Sequence, residues 1–217
     1  DVVENSQLSV ALPTNAGHAA ITSNNLTLQG TFSTNHAADY LGGSLDITSS
    51  NIFITDATST GSRSGYLTLS ADELSDLKLE SLMLGGTRND SGVNQGYSIS
   101  SDRIELDDGV SLNLQELILV SNLDLTFGQD IEISTTQTVE ELNEVNITTS
   151  DAGNIFLISG NNAWSYTIES AAENTASPSI STGANLSLEY DGSALFGTTD
   201  TLDISDSLAA SSSQGAL

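Results

Sequence analysis

The chain has 217 residues, which suits one long domain or two short ones. Only 37% of the residues are hydrophobic and 5% aromatic, less than is usual for a compact globule of this length. The net charge of −25, with four Lys and Arg in total, excludes nucleic-acid binding, which needs clustered cations, and electrostatic docking on an anionic membrane.

The sequence contains no residues for disulfide bonds and no recognisable export signal. The chain has no Cys, so it relies on neither disulfides nor thiolate metal sites. No stretch has the apolar length needed to span a bilayer. The opening residues, Asp1–Asn5, lack the basic and apolar regions of a signal peptide. We therefore expect an export signal outside this sequence and a larger parent protein.

Short triplets of alternating apolar and polar residues recur along the chain and predict half-buried strands. Gly, Asn, Asp and Ser separate them, as turns require. Ile52–Ile54 is apolar throughout, which predicts a strand covered on both faces. The triplets are Leu26–Leu28, Leu45–Ile47, Leu67–Leu69, Ile104–Leu106, Leu112–Leu114, Leu123–Leu125, Ile131–Ile133, Val145–Ile147, Leu186–Leu188 and Leu202–Ile204.

The spacing of these triplets predicts the fold. Three pairs share one and the same spacing: Leu26 and Leu45, Ile104 and Leu123, Leu112 and Ile131. A period of about 20 residues is typical of solenoids, whereas a β-sandwich would show the triplets without the repeated offset. We expect an all-β solenoid, a parallel β-helix with coils of about 19–20 residues, in which the strands at Ile104 and Leu123 pair in parallel. The expected inward residues are Ile104, Leu106, Leu123, Leu125, Ile131 and Ile133.

One segment departs from the strand pattern. Ser70 and Glu73 form a capping box, Ser-x-x-Glu, that opens a helical stretch from Ala71 to Leu77. This segment lies between two predicted strands. We expect a short helical insertion at a corner of the solenoid, covering apolar surface.

Four blocks of sequence carry a resemblance to a known family. They are Gly65–Leu74, Leu79–Arg88, Ser101–Val110 and Leu117–Ser121, with Leu-Ser-Ala-Asp-Glu-Leu and Leu-Gly-Gly-Thr-Arg in that order. Over residues 44–133 the chain resembles the filamentous haemagglutinin family of large bacterial adhesins. The resemblance implies a right-handed parallel β-helix, exported through an outer-membrane barrel in two-partner secretion. It also implies a role in adhesion, biofilm formation or contact-dependent inhibition.

The chain departs from that family in one respect. The family's amino-terminal secretion domain carries Asn-Pro motifs, whereas the two prolines here are Pro13 and Pro178, which follow Leu and Ser. We therefore expect residues 1–217 to be a single β-solenoid segment of the shaft, on the bacterial surface or secreted. The expected partners are flanking coils of the same polypeptide or neighbouring subunits, an outer-membrane secretion partner, and glycans or proteins of a host or neighbouring cell. Nucleic acid and direct membrane insertion are not expected.

Polysaccharide cleavage is the enzymatic alternative, because some parallel β-helices act as lyases or hydrolases on acidic sugars. Such sites need two or three carboxylates at a defined separation, usually with a cation. Asp107 and Asp108 near Arg103 are the one arrangement of this kind. Asp-Asp-Gly is also a plain turn signal between two strands. We expect a structural protein without catalytic residues.

No cofactor or metal site is predicted. His18 and His36 lie nearly one predicted coil apart and could stack in a solenoid, but two ligands are too few for a closed metal site. Asp200, Asp203 and Asp206 recur at every third residue and favour weak cation binding at most. A cation-binding repeat of an extracellular matrix or surface layer stays open as a second alternative.

Trp164 and Tyr166 are the candidate binding residues. They share one face of an alternating stretch and could stack on a sugar ring if exposed. The other interpretation is that they pack in the core or cap a coil.

Overall fold

The computed structural model describes residues 17–24, 26, 43–56, 63–89, 94–136, 143–149, 153–168, 178–190, 193–198 and 209–212. Over these ranges the chain is all-β, as predicted, with one short helix, α1 (Ala71–Asp76). The strands are β1 (His18–Thr22), β2 (Ser44–Thr48), β3 (Asn51–Thr55), β4 (Leu67–Ser70), β5 (Ser81–Leu84), β6 (Gly86–Asn89), β7 (Asn94–Ile99), β8 (Arg103–Leu106), β9 (Ser111–Leu114), β10 (Glu116–Ser121), β11 (Asp124–Phe127), β12 (Glu132–Thr135), β13 (Asn143–Thr149), β14 (Asn154–Ser159), β15 (Asn162–Ile168), β16 (Ser179–Thr182), β17 (Ser187–Tyr190), β18 (Ser193–Thr198) and β19 (Ala209–Ser212).

The described strands form four sheets. Sheet A has the order β1-β2-β5-β10-β14-β18, sheet B β16-β11-β8-β3-β4, sheet C β15-β13-β7-β6 and sheet D β19-β17-β12-β9. Sheets B and D are parallel throughout. Sheet A turns antiparallel at β14, and sheet C at the β6–β7 pair.

The triplets that begin at Ile104 and Leu123 lie on strands that pair in parallel, as predicted, but not in the register that the repeated spacing implies. Ile104 pairs in parallel with Leu125, not Leu123, and Leu112 pairs with Ile133, not Ile131. Since side chains on a strand alternate with a period of two, the predicted and the observed register both place apolar residues on the same face. The spacing therefore shows which residues face inward but does not fix the register.

The first predicted pairing also differs. Leu45 pairs with Ala19 of β1, and Leu26 follows that strand as a partly buried residue packed against the core. The triplet beginning at Leu26 thus does not supply the strand that stacks on β2.

The main core is enclosed by sheets A, B and D and by α1. Five of the six expected inward residues are buried there, and Leu123 is half-buried. The five are Ile104, Leu106, Leu125, Ile131 and Ile133. A second, smaller core lies on the other face of sheet A, where Met83, Ile118, Val120, Ile155 and Leu157 meet Tyr97, Ile99 and Ile147 of sheet C. Sheet C therefore covers a face of sheet A that would otherwise meet solvent.

The corners between sheets B and D repeat the same geometry. Gly109, Asp130 and Asn185 each have a positive φ, of 75°, 55° and 62°. They lie in the connections β8–β9, β11–β12 and β16–β17. The amide of Gly109 donates to Gln129 O at 2.8 Å, and the amide of Asp130 to Ala184 O at 2.9 Å. Three successive connections are thus hydrogen-bonded on top of one another.

Helix α1 begins at the predicted capping box. Ser70 Oγ accepts a hydrogen bond from the amide of Glu73, and Ala71 and Leu74 are buried. The helix ends at Asp76, one residue before the predicted Leu77, and packs against β9.

Candidate functional site

A glycine turn places sheet C over sheet A. Gly85, between β5 and β6, has a φ of +92°, and a Cβ there would lie 1.9 Å from the carbonyl oxygen of Val120. Only glycine combines this conformation with so close an approach. The turn carries β6 across the outer face of sheet A and brings Arg88 over that face.

Arg88 binds Asp46 through two groups. Its Nε donates to Asp46 Oδ1 at 2.8 Å, and its backbone amide donates to Asp46 Oδ2 at 2.8 Å. The Asp46 side chain is 0% exposed and that of Arg88 is 5% exposed. Charge-assisted bonds of this kind are the strongest that side chains make, and here they are shielded from water.

Ser81 and Glu116 complete what we call the Asp46–Arg88 cluster, which consists of Asp46, Ser81, Arg88 and Glu116. Arg88 Nη1 donates to Ser81 Oγ at 2.6 Å and lies 3.8 Å from Glu116 Oε1. Ser81 Oγ in turn donates to Glu116 Oε1. Arg88 Nη2 is buried and has no hydrogen-bond partner among the described residues.

Two further residues border the cluster. His18 Nε2 lies 2.8 Å from Asp46 Oδ2, so the edge strand β1 also contacts it. Tyr97 faces Arg88 across the β6–β7 pair and donates to Gln95 Oε1 at 3.0 Å. Burial raises the pKa of the Tyr97 phenol well above its ordinary value, and the nearby Arg88 guanidinium lowers it to a smaller degree.

Burial decides what the cluster can do. Two carboxylates beside a cation resemble a hydrolytic site in composition. Here both carboxylates are at most 4% exposed, and each accepts hydrogen bonds from within the protein. A substrate has no access to them. The arrangement acts as a structural clamp, because breaking a buried ion pair leaves an uncompensated charge.

Two exposed cations, Arg63 and Arg103, pair with carboxylates on the outer face of sheet B. Arg63 pairs with Glu105, and its guanidinium carbon lies 4.7 Å from the Tyr66 ring centroid and 5.3 Å from that of Phe53. The hydrogen bond to Glu105 raises the pKa of Arg63. Phe53, in the apolar triplet, is only 7% exposed because these side chains cover it. The predicted two-sided burial of that triplet is confirmed.

The arrangement considered for cleavage of acidic sugars is not assembled. Arg103 Nε donates to Asp124 Oδ2 at 2.8 Å, and that hydrogen bond raises the pKa of Arg103. Asp108 Oδ1 accepts from the amide of Gln129 at 2.7 Å, as part of a corner. Asp107 precedes that corner, and its amide donates to Ile54 O at 2.8 Å. The Asp-Asp-Gly sequence thus forms a turn between two strands, which was the alternative to a catalytic role.

The remaining candidates are only partly described. Trp164 and Tyr166 lie on β15, in register with the buried Val145 and Ile147 of β13, and the structure describes their backbone alone. His36 and the acidic series Asp200, Asp203 and Asp206 lie outside the described residues.

The described residues hold no group of three or more His, Asp or Glu placed to bind a metal ion. Within them, no helix has the length and apolar character to cross a bilayer.

Sequence reasoning missed the Asp46–Arg88 cluster. Asp46 lies between Leu45 and Ile47, and that alternation predicts a solvated polar face. The available signal was in neighbouring strands of the same sheet: Leu82–Leu84 and Leu117–Val120 are apolar without interruption, which indicates burial on both faces. A charged residue in line with them then requires a buried partner.

Comparison with known proteins adds no relative: no family model, no curated protein and no solved structure matches this chain.

Proposed function

We propose that this chain is a segment of a right-handed parallel β-helix that serves as the structural and adhesive shaft of a secreted bacterial surface protein. One observation supports the proposal: sheets B and D step together. By a step we mean the number of residues along the chain that separates two paired positions on neighbouring strands, and it is the same in both sheets. In sheet B, Asp124 of β11 pairs with Arg103 of β8 and with Ser179 of β16. In sheet D, Glu132 of β12 pairs with Ser111 of β9 and with Ser187 of β17, so both steps have the same length in the two sheets.

The order in which the chain visits the sheets supports the same interpretation. From β8 to β12 it passes through sheets B, D, A, B and D in turn, and β16 and β17 return to B and D. Shared steps and stacked corners are what successive coils of one solenoid require. The segment between β12 and β16, which makes the second step the longer one, departs from this order: β13 and β15 belong to sheet C, which covers sheet A from outside, and β14 joins sheet A antiparallel.

The chemistry of the described residues favours a structural role. The one deeply buried charged group among them, the Asp46–Arg88 cluster, joins two sheets and is closed to substrates. The Leu-Gly-Gly-Thr-Arg block on which the family resemblance partly rests supplies both the turn at Gly85 and the cation of this cluster. Both roles are structural, which supports the proposal of a shaft for this part of the chain.

Partners of such a shaft are further coils or neighbouring subunits along the rod, glycans or proteins of another cell at its surface, and an outer-membrane barrel during export. The strong negative charge favours end-to-end over side-by-side contacts between copies at low ionic strength.

Two assays test the proposal. Beads coated with the purified chain should retain bacterial or host cells above beads coated with an unrelated acidic protein, and failure to do so would contradict the adhesive role. Incubation with acidic polysaccharides should release no reducing ends. Release that is lost in the Asp107→Asn variant would instead establish the carbohydrate-active alternative.

A further inference from the structure

A cleft of about 210 Å³ lies beside the edge of sheet B, away from the Asp46–Arg88 cluster. Its walls come from the segment after β1, the β2–β3 connection and the start of β4. The lining residues are Asn24, Ser49, Ser50, Gly65, Tyr66 and Leu67. The cleft thus combines one aromatic ring with hydroxyl and amide groups.

The walls are held by contacts that need no ligand. Ser49 Oγ donates to Asn24 Oδ1 at 3.0 Å, and Asn51 Nδ2 donates to Gly65 O at 3.1 Å. The Tyr66 ring is fixed by the Arg63 guanidinium and by the edge of Phe53, whose ring centroid is 6.4 Å away. A site ordered in advance loses little conformational entropy when it binds.

Charge narrows the class of ligand. In a chain of net charge −25, the described residues that line this cleft are all neutral. Two cations interact with Tyr66, which lines the cleft: Arg63 and Arg103, and each is paired with a carboxylate, Glu105 and Asp124 respectively. The described lining of the cleft therefore offers no excess charge to an anion and no carboxylate to a cation.

We propose that this cleft binds one neutral sugar residue. The apolar C–H face of the ring packs on Tyr66, while its hydroxyl groups bind the amide of Asn24 and the hydroxyl of Ser50. The volume is below the roughly 300 Å³ at which pockets for larger ligands begin, so a terminal or branch residue of a glycan fits and an enclosed oligosaccharide does not. The inference rests on the proposed adhesive function and names a glycan-binding site for it.

Saturation-transfer NMR on the full chain tests the site with three probes: the methyl glycosides of glucose, N-acetylglucosamine and glucuronic acid. We expect transfer to at least one of the two neutral glycosides, with a Kd on the order of millimolar, as befits so small a ligand. Tyr66→Ala and Asn24→Ala should each weaken binding by about 10-fold or more, a typical cost for losing an aromatic or hydrogen-bonding contact. Asn24 is exposed, so its variant is safe for folding.

A second cleft supplies the matched control. It is about 140 Å³ in volume and is lined by Lys78 and Asn113 among others, and no aromatic residue is found among its described lining residues. Asn113→Ala should leave binding unchanged. No transfer to either neutral glycoside, preference for the glucuronide, or full binding by the Asn24→Ala chain would each overturn the proposed site. None of these results would contradict the proposal of a shaft, because that proposal is tested separately by the register of the paired strands.

Discussion

The Asp46 carboxylate binds Arg88 with both oxygens: Oδ1 accepts from Nε and Oδ2 from the backbone amide, each at 2.8 Å. Asp46 belongs to β2 in sheet A, and Arg88 to β6 in sheet C. The two residues are 42 positions apart in the chain and have no backbone pairing that would bring them together. Their contact therefore fixes how sheet C lies on sheet A.

Removing one partner of this pair should be strongly destabilising. Asp46→Leu leaves the Arg88 guanidinium buried without its main acceptor, and Arg88→Met leaves the carboxylate without its donor. Each should lower the free energy of unfolding by about 3–5 kcal/mol, measured by urea denaturation followed by circular dichroism. The double variant should lose less than the sum, because neither Asp46 nor Arg88 is then left charged without the other, while the buried Glu116 keeps its bond from Ser81.

The exposed pair on sheet B is the control for that experiment. Arg103 and Asp124 make the same Nε-to-carboxylate bond at 2.8 Å, with side chains 45% and 41% exposed. Asp124→Ala should leave the urea midpoint nearly unchanged, because exposed ion pairs contribute little. Equal losses at Asp46 and Asp124 would show that burial does not decide the strength of the clamp.

Gly85 and Gly109 both have a positive φ, so substitutions at the two positions distinguish the cost of a steric collision from the cost of backbone strain. Gly85 and Gly109 have φ of +92° and +75°, but only at Gly85 does a Cβ collide, at 1.9 Å from Val120 O. Gly109→Ala should cost about 1–2 kcal/mol, the usual penalty for a left-handed alanine. Gly85→Ala should cost at least twice as much, or prevent folding, and the comparison is made from urea midpoints. Similar costs at both positions would contradict the close approach of β5–β6 to β10.

Alkaline pH should weaken the fold through Tyr97. Its phenol has a pKa of about 10 in the unfolded chain and a much higher one when buried. Above pH 10 the unfolded state therefore binds fewer protons than the folded state, and stability falls as the pH rises. Below pH 10 this contribution is constant. Urea midpoints measured from pH 8 to 11 should decline less steeply in Tyr97→Phe than in the unchanged chain. Parallel curves for the two chains would show that Tyr97 ionises freely in the folded state.

Local alternation predicted the strands well, because it depends on neighbours only two residues apart. Ile104 and Leu106 are buried as expected, and Glu105 between them faces outward. The same reasoning placed Asp46 in solvent, and it is 0% exposed. Whether the second face of a strand is covered depends on residues far along the chain, here the β6–β7 hairpin and β13, which a triplet cannot reveal.

The register between β8 and β11 could not be predicted from the sequence for a related reason. The triplet that begins at Leu123 has Leu123 and Leu125 on one face, and either can stand beside Ile104 without moving a side chain to the other face. The corner decides between them: the amide of Asp124 bonds to Asp102 O at 3.1 Å, so the strand begins there and Leu125 meets Ile104. The hydrogen bonds of a corner leave no hydrophobic pattern in the sequence.

A pair of engineered cysteines measures this register directly, since the chain has none of its own. Glu105 pairs with Thr126, whereas the register predicted from the sequence would have paired it with Asp124. Neighbouring parallel strands lie about 4.8 Å apart, within disulfide range, and diagonal positions at about 7–8 Å lie outside it. Oxidation should cross-link Glu105→Cys with Thr126→Cys and not with Asp124→Cys, as read from the loss of two hydrogen masses in the intact protein.

Engineered disulfides can also test the pairing of β11 with β16, the longer of the two steps in sheet B. The proposal of a shaft depends more on this pairing than on that of β8 with β11. Thr126 and Ser181 are 55 residues apart, yet they pair on β11 and β16, and Ser181 Oγ donates to Thr126 Oγ1 at 3.2 Å. Both face away from the core, so cysteines there should fold normally and form a disulfide under mild oxidation, while Thr126→Cys with Ser179→Cys should remain reduced. Stacked coils require this pairing, because sheet D makes a step of the same length between β12 and β17. If the Ser179 pair were the one to close, sheets B and D would not step together, and the parallel β-helix would have to be abandoned for a fold in which the two sheets are registered independently.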